Sequence, residues 1–353
     1  MKKLKDRYII PIYNIDKTEE FDYRNKIGDI EFNIQIKNYG DSFYCKDLEK
    51  ILETDNKESL MNFYKIIEEN LEREIGIFRT SSSKTLLIID FITSDIEGNK
   101  SSIEYFENSS KVFNYSILKR SILETLHLVL PYGLGYYKYV SKSFNSNVAL
   151  KAFGGITKFF GDLEVHTSHI KPYTFSPLVD VKLMRLKNED YSEFENIFNR
   201  IYDLNIQKDN QYSRILKQSI DYHILAKTFL NNEQTFAILM IAIEAMFKQY
   251  QNESLQKYIK EIGKLLSNNI KDRGRMEKSF HNFIPLRNDI VHGDEYSLEE
   301  LSKNLLELYK YVRQCILEIL EINEKISLNN YYIDLFDEIE KRWKKKINLT
   351  KKQ

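Results

Sequence analysis

Cysteine is nearly missing from this chain: 353 residues carry only Cys45 and Cys315. The two lie far apart, in differently patterned regions, which argues against a disulfide scaffold and a Cys-based zinc site and fits a reducing, intracellular compartment. Net charge is missing too. Fifty-two basic side chains balance fifty-two acidic ones, so no whole-protein field attracts nucleic acid by counterion release, and any polyanion site has to be a local patch. No stretch approaches the roughly 18 uninterrupted apolar residues of a membrane-spanning helix. The opening MKKLKDRYIIPIYNID is basic, but its short apolar stretch is interrupted by Pro11 and Asn14, so neither a signal peptide nor a membrane anchor is expected. The expectation is a soluble, cytoplasmic protein.

Nucleotide-binding loops are lacking as well. Gly133-Leu-Gly135 has no third glycine, and no glycine-lysine loop of the Walker type occurs. His166 and His169 do not share a strand face and have no cysteine or paired acids nearby, so no metal or cofactor is expected. The cluster Tyr132, Tyr136, Tyr137, Lys138 and Tyr139 could stack on bases, but with 24 tyrosines in the chain packing is the simpler account.

What the chain does have is ample core material, 42% hydrophobic and 13% aromatic residues, enough for two ordinary domains. Residues 1 to 188 mix patterns. Ile30 to Ile36 alternates apolar and polar side chains as a half-buried strand does, Val179 to Leu186 repeats this loosely, and the apolar run Thr85 to Thr93 reads as a fully buried strand. Ser59 to Arg73 and Ser116 to Leu130 carry helical spacing. From residue 189 onward strand patterns vanish, and the expected fold is an α+β domain followed by an all-α bundle. Helices are expected at Tyr212 to Phe229, Glu233 to Tyr250, Leu255 to Leu266 and Met276 to His292. A longer one starts from Ser297 and Glu300 in capping-box spacing. The segment Glu233 to Tyr250 is apolar on nearly all sides, as the central helix of a bundle should be.

The segment Pro285-Leu-Arg-Asn-Asp-Ile-Val-His-Gly293 places Arg287 and His292 five positions apart, with the polar Asn288 after the arginine. Upstream lies the apolar helix Ile241-Ala-Ile-Glu-Ala-Met-Phe247, and a long amphipathic helix follows. In this order the sequence resembles the HEPN superfamily, and within it the ApeA-like branch, over roughly residues 205 to 325. The resemblance implies a HEPN-type bundle that cleaves RNA, in a defence or toxin-like system, with Arg287, His292 and Asn288 as the catalytic set. Some HEPN toxins have a tyrosine two residues after the histidine that a partner nucleotidyltransferase modifies. Here that place is Asp294, and the nearest tyrosine is Tyr296.

The chemistry of these residues suits that expectation. RNA carries its own nucleophile in the 2′-hydroxyl, so cleavage without a metal needs a proton carrier near neutral pH and a cation on the phosphate. Histidine suits the first role and arginine's fork of donors the second. Glu244, a lone acid in an apolar helix, either orients Arg287 or pairs with Lys248 one turn on. Asp289 and Gly293 complete the supporting set, Gly293 because glycine readily adopts the left-handed conformation that ends helices. Residues five apart on a helix point about 140° away from each other, so both groups reach one phosphate only if the helix ends at His292 or a second chain contributes. A homodimer is expected on that ground and on the apolar surplus at Leu306, Tyr309, Leu317 and Leu320 of the long helix.

The tail carries Lys341, Arg342, Lys344, Lys345 and Lys346 around Trp343, either a solvated helix or a patch that contacts RNA phosphates. The leading expectation is a metal-independent endoribonuclease whose N-terminal domain senses an unknown trigger. The alternative is an inactive HEPN module that dimerises or binds RNA as a regulatory subunit.

Overall fold

The computed structural model describes residues 2–12, 21–28, 30–38, 85–94, 117–129, 138–143, 157–160, 163–167, 190–207, 210–226, 231–250, 252–322, 326 and 330–350. The segments 59–73 and 179–186, the glycines at 133 and 135, Tyr132, Tyr136, Tyr137, Cys45 and His169 lie outside these residues. The chain divides into two compact units, residues 1–195 and 196–353.

In the first unit, β1 (Lys2–Ile12), β2 (Phe21–Ile27), β3 (Ile30–Asn38), β4 (Thr85–Ser94), β5 (Lys138–Ser143), β6 (Thr157–Phe160) and β7 (Leu163–Thr167) form one sheet. Its order is β2-β3-β4-β1-β5-β7-β6, and each neighbouring pair is antiparallel. The strict alternation in β3 puts Phe32, Ile34 and Ile36 on one buried face, where Phe32 pairs with Phe91 and Ile34 with Ile89 of β4. β4 is buried on both faces, since Ile88 and Asp90 of the opposite face are also covered, as its continuous apolar run requires. Phe21 and Tyr23 of β2 meet Phe194, with ring centroids 5.8 and 4.9 Å apart. Helix α1, residues 117–129, is mostly buried. Several of its polar side chains bond within the helix: Ser121 and Thr125 donate to the Ile117 and Ser121 carbonyls, and Arg120 pairs with Glu124 at 2.6 Å.

The helical run begins just past the break expected near residue 188, and the division between the units falls inside its first helix. The helices are α2 (Asp190–Ile206), α3 (Gln211–Ala226), α4 (Asn232–Phe247), α5 (Ile259–Leu266, preceded by a 3-10 turn at Leu255–Tyr258), α6 (Ile270–His292), α7 (Leu298–Glu321) and α8 (Tyr331–Thr350). The Ser297 hydroxyl accepts from the Glu300 amide, so the capping spacing starts α7 where expected. α6 starts earlier than the expected Met276, because Asn269 caps it by accepting from the Asp272 amide. α4 ends at Phe247, short of the expected Tyr250.

α4 buries Phe236, Leu239, Met240, Ala242, Ile243, Met246 and Phe247, and α7 packs against α3, α4, α5 and α6. This corrects one expectation. The apolar surplus of α7 is largely consumed within the chain: Leu320 is buried, and Tyr309 packs edge-on to His223 and donates to the Ala226 carbonyl at 3.0 Å. A helix with four helical neighbours needs more than one apolar face, so of the four residues only Leu306 is exposed, at 37%. α6 buries just Phe280, Phe283 and Leu286, against Phe236 and Tyr311. The rest of that long helix is half-buried or exposed.

Two glycines of α6 should respond in opposite directions to alanine. Gly293 ends the helix at φ 78° with open space around its Cα, so Gly293→Ala is expected to lose about 1 kcal/mol from left-handed strain alone. Gly274 has ordinary helical backbone and equally open space, so Gly274→Ala is expected to gain about 1 kcal/mol. Urea unfolding of both variants checks the pair, and a common sign would contradict it.

Candidate functional site

The C-terminal end of α6 holds the arginine-histidine motif. The helix continues through Pro285, which lacks the N–H that would donate to the His281 carbonyl but is exposed. It stops at His292 because Gly293 turns left-handed, and the Asp289 carbonyl then accepts from both the Gly293 and Asp294 amides, the latter at 2.8 Å. Asp289 thus supports the motif through its backbone. His292 is the last helical residue and is exposed at the negative end of the helix dipole.

Arg287 faces the other way. Its guanidinium lies 3.9 Å from the Glu244 carboxylate on α4, and the second oxygen of Glu244 is 3.6 Å from the Lys248 ammonium. The two roles weighed for Glu244 are therefore both filled: it pairs with Lys248 one turn on and holds Arg287 across the helix interface. Both pairs are only partly covered, with 29% of the Arg287 side chain and 25% of Glu244 open to solvent. Arg287 also donates to the Asn288 side-chain oxygen at 3.3 Å. Asn288 itself is exposed.

Because the helix is unbroken from 287 to 292, the two motif side chains diverge by about 140°. Among the described residues they share no hydrogen bond or ion pair. One chain brings Arg287, Asn288 and Glu244 together and leaves His292 on a separate face, one turn from Asn288. The turn beyond His292 is flanked by exposed apolar side chains, Val291 at 53% and Leu298 at 59%. Tyr296 is tied down, its hydroxyl donating to Glu233 in the first turn of α4 at 3.0 Å.

The tail residues are placed differently from one another. Arg342 lies 3.4 to 3.8 Å from Glu338, Glu318 and Glu321, and Lys344 lies 3.4 Å from Glu340. Lys346 donates to the Ser267 and Leu265 carbonyls at the end of α5. Trp343 is buried under the Arg273 guanidinium, 5.3 Å from the ring. Arg342 and Lys346 therefore hold α8 to the bundle, Lys344 pairs only within α8, and Lys341, Lys344 and Lys345 are exposed.

Cys315 is wholly buried, and burial pushes its thiol well above the ordinary range, which leaves it no thiolate for nucleophilic work. In the first unit, burial pushes the Lys119 ammonium down to about 8. Among the described residues no group of three or more His, Cys, Asp or Glu side chains is placed to hold a metal ion. Lys271 and Arg275 precede Met276, where hydrophobic periodicity alone starts the helix, so periodicity does not mark them. The signal that would have found them is Asn269 followed three residues later by Asp272.

A double-mutant cycle of Glu244→Gln and Arg287→Gln, followed by urea unfolding, should return a coupling of about 0.2–1 kcal/mol, the range of half-exposed pairs. A coupling of zero would mean that Glu244 does not position the arginine. No protein-family model, no curated protein and no solved structure matches this chain.

Proposed function

We propose that the chain is a metal-independent endoribonuclease of the HEPN type in a defence or toxin-like system, with the helical unit as nuclease and the N-terminal unit as sensor. The observation that carries this reading is the end of α6: a helix stopped at His292 by left-handed Gly293, with Arg287 held by Glu244 and partly open to solvent.

In this reading Arg287 clamps the scissile phosphate while His292 moves the proton. The 2′-hydroxyl gives its proton to the imidazole as O2′ bonds to phosphorus. The bond to O5′ then breaks, and O5′ takes the proton back from the same imidazolium. The products are a 2′,3′-cyclic phosphate and a 5′-hydroxyl. The divergence of the two motif groups calls for a homodimer, in which Arg287 of one chain and His292 of the other address one phosphate. Val291 and Leu298, exposed on either side of the turn, supply apolar area for such a contact. The same divergence would also suit an inactive module that dimerises or binds RNA, and cleavage in EDTA separates the two.

His292→Ala and Arg287→Ala are each expected to lower cleavage by on the order of 100-fold to 10,000-fold while the far-ultraviolet spectrum is kept. The wild type should cut RNA in EDTA and leave 5′-hydroxyl ends, read by end-specific labelling. Full activity of His292→Ala, or 5′-phosphate ends, would refute the assignment.

Light scattering should report a dimer. Mixing Arg287→Ala with His292→Ala subunits should restore activity at the sites that receive both intact residues. A fully active monomer would rule out the shared site.

A further inference from the structure

The solvent face of α6 carries a ridge that leads to His292. At about 100° per residue, Lys271, Arg275, Lys278, His281, Asn288 and His292 fall within about 140° of arc, and all six are exposed. Arg287 lies on the opposite side of the helix. At about 1.5 Å per residue the ridge spans about 31 Å.

The charge on this face is segregated, in a chain whose charges otherwise cancel. Between Lys271 and His281 no carboxylate of α6 falls on the arc. Asp272 lies beside it, 3.6 Å from an Arg275 side chain that stays 68% exposed, and Glu277 is turned to Arg273 at 3.1 Å. Lys271 and Lys278 have no ion-pair partner among the described residues. Asp289, half-buried, is the single acid on the arc and sits near its far end. The ridge is also free of large apolar side chains, unlike the turn after His292, so it is shaped for a hydrated polyanion and not for a packed partner. The cations repeat every three to four residues, a spacing of about 4.5–6 Å, and each can meet a separate phosphate along a strand.

We propose that this ridge is the track on which the sugar-phosphate backbone of the RNA lies as it enters the site at His292, in place of the tail, where Arg342 and Lys346 hold α8 to the bundle. The assignment rests on the ribonuclease reading for its direction toward His292, but the binding itself is independent of cleavage.

A fluorescent single-stranded oligonucleotide with 2′-O-methyl groups throughout lacks the nucleophile, so it reports binding alone by anisotropy across a salt series. Lys271→Gln/Lys278→Gln in the full chain should reduce the dependence of log affinity on log salt by about 1.4, since each phosphate contact to a single strand contributes about 0.7. At 0.1 M salt that corresponds to a loss on the order of 25-fold. Lys341→Gln/Lys345→Gln, which removes the same charge from the tail, should keep the wild-type slope. Failure of the wild type to bind the oligonucleotide would overturn the proposal. So would an unchanged slope in the ridge variant, or a reduced slope in the tail variant alone. If the ridge variant loses binding while the wild type leaves unmodified RNA intact in EDTA, the track stands and the ribonuclease reading falls.

Discussion

The helical unit is organised by the need to bury α4 and α7. α4 is apolar on nearly every side, and α7 carries more apolar surface than one face can hold, so both must be wrapped by other helices. The wrapping determines what is left for the remaining elements. α6 contributes only the seam Phe280, Phe283 and Leu286, and its other sides are available for polar work. A long helix with one narrow seam can expose both a motif at its end and a charged ridge along its length.

Glu244 is the polar consequence of that packing. A carboxylate on an otherwise apolar helix must be paired or reach water. Here it does both, meeting Lys248 and Arg287 while keeping a quarter of its surface open. The pairing turns Arg287 toward α4, and the helical period then carries His292 away from it. The arrangement that satisfies Glu244 thus separates the two motif groups in one chain, and that separation motivates the proposal of a site completed by a second copy.

The cations of the unit are divided by the same logic. α8 must be held on a surface formed by α5 and α7, and Arg342 and Lys346 do this through the Glu318 and Glu321 carboxylates and through carbonyls at the end of α5. Side chains committed to such contacts contribute little to binding a diffusing polyanion. On α6 no neighbouring helix needs the outer face, so Lys271 and Lys278 remain exposed.

Much of this was legible in the residues themselves. The alternation of Ile30 to Ile36, the apolar run of Thr85 to Thr93, the capping pair Ser297 and Glu300 and the terminating Gly293 act over a few residues, so local physics sets them. The early start of α6 was also encoded, at Asn269 and Asp272, but its signal is a side-chain cap that hydrophobic periodicity does not register. What tertiary structure alone decided is which of several adequate partners each side chain meets. Glu244 could have served Lys248 or Arg287, and it serves both because α6 crosses α4 there. Leu320 and Tyr309 could have faced a second chain, yet four neighbouring helices cover α7. Arg342 and Lys346 could have been free, but the acids of α7 and the carbonyls of α5 lie within reach. Sequence supplies the groups and their periods, while the distances between elements far apart in the chain decide which of them are satisfied and which remain open for function.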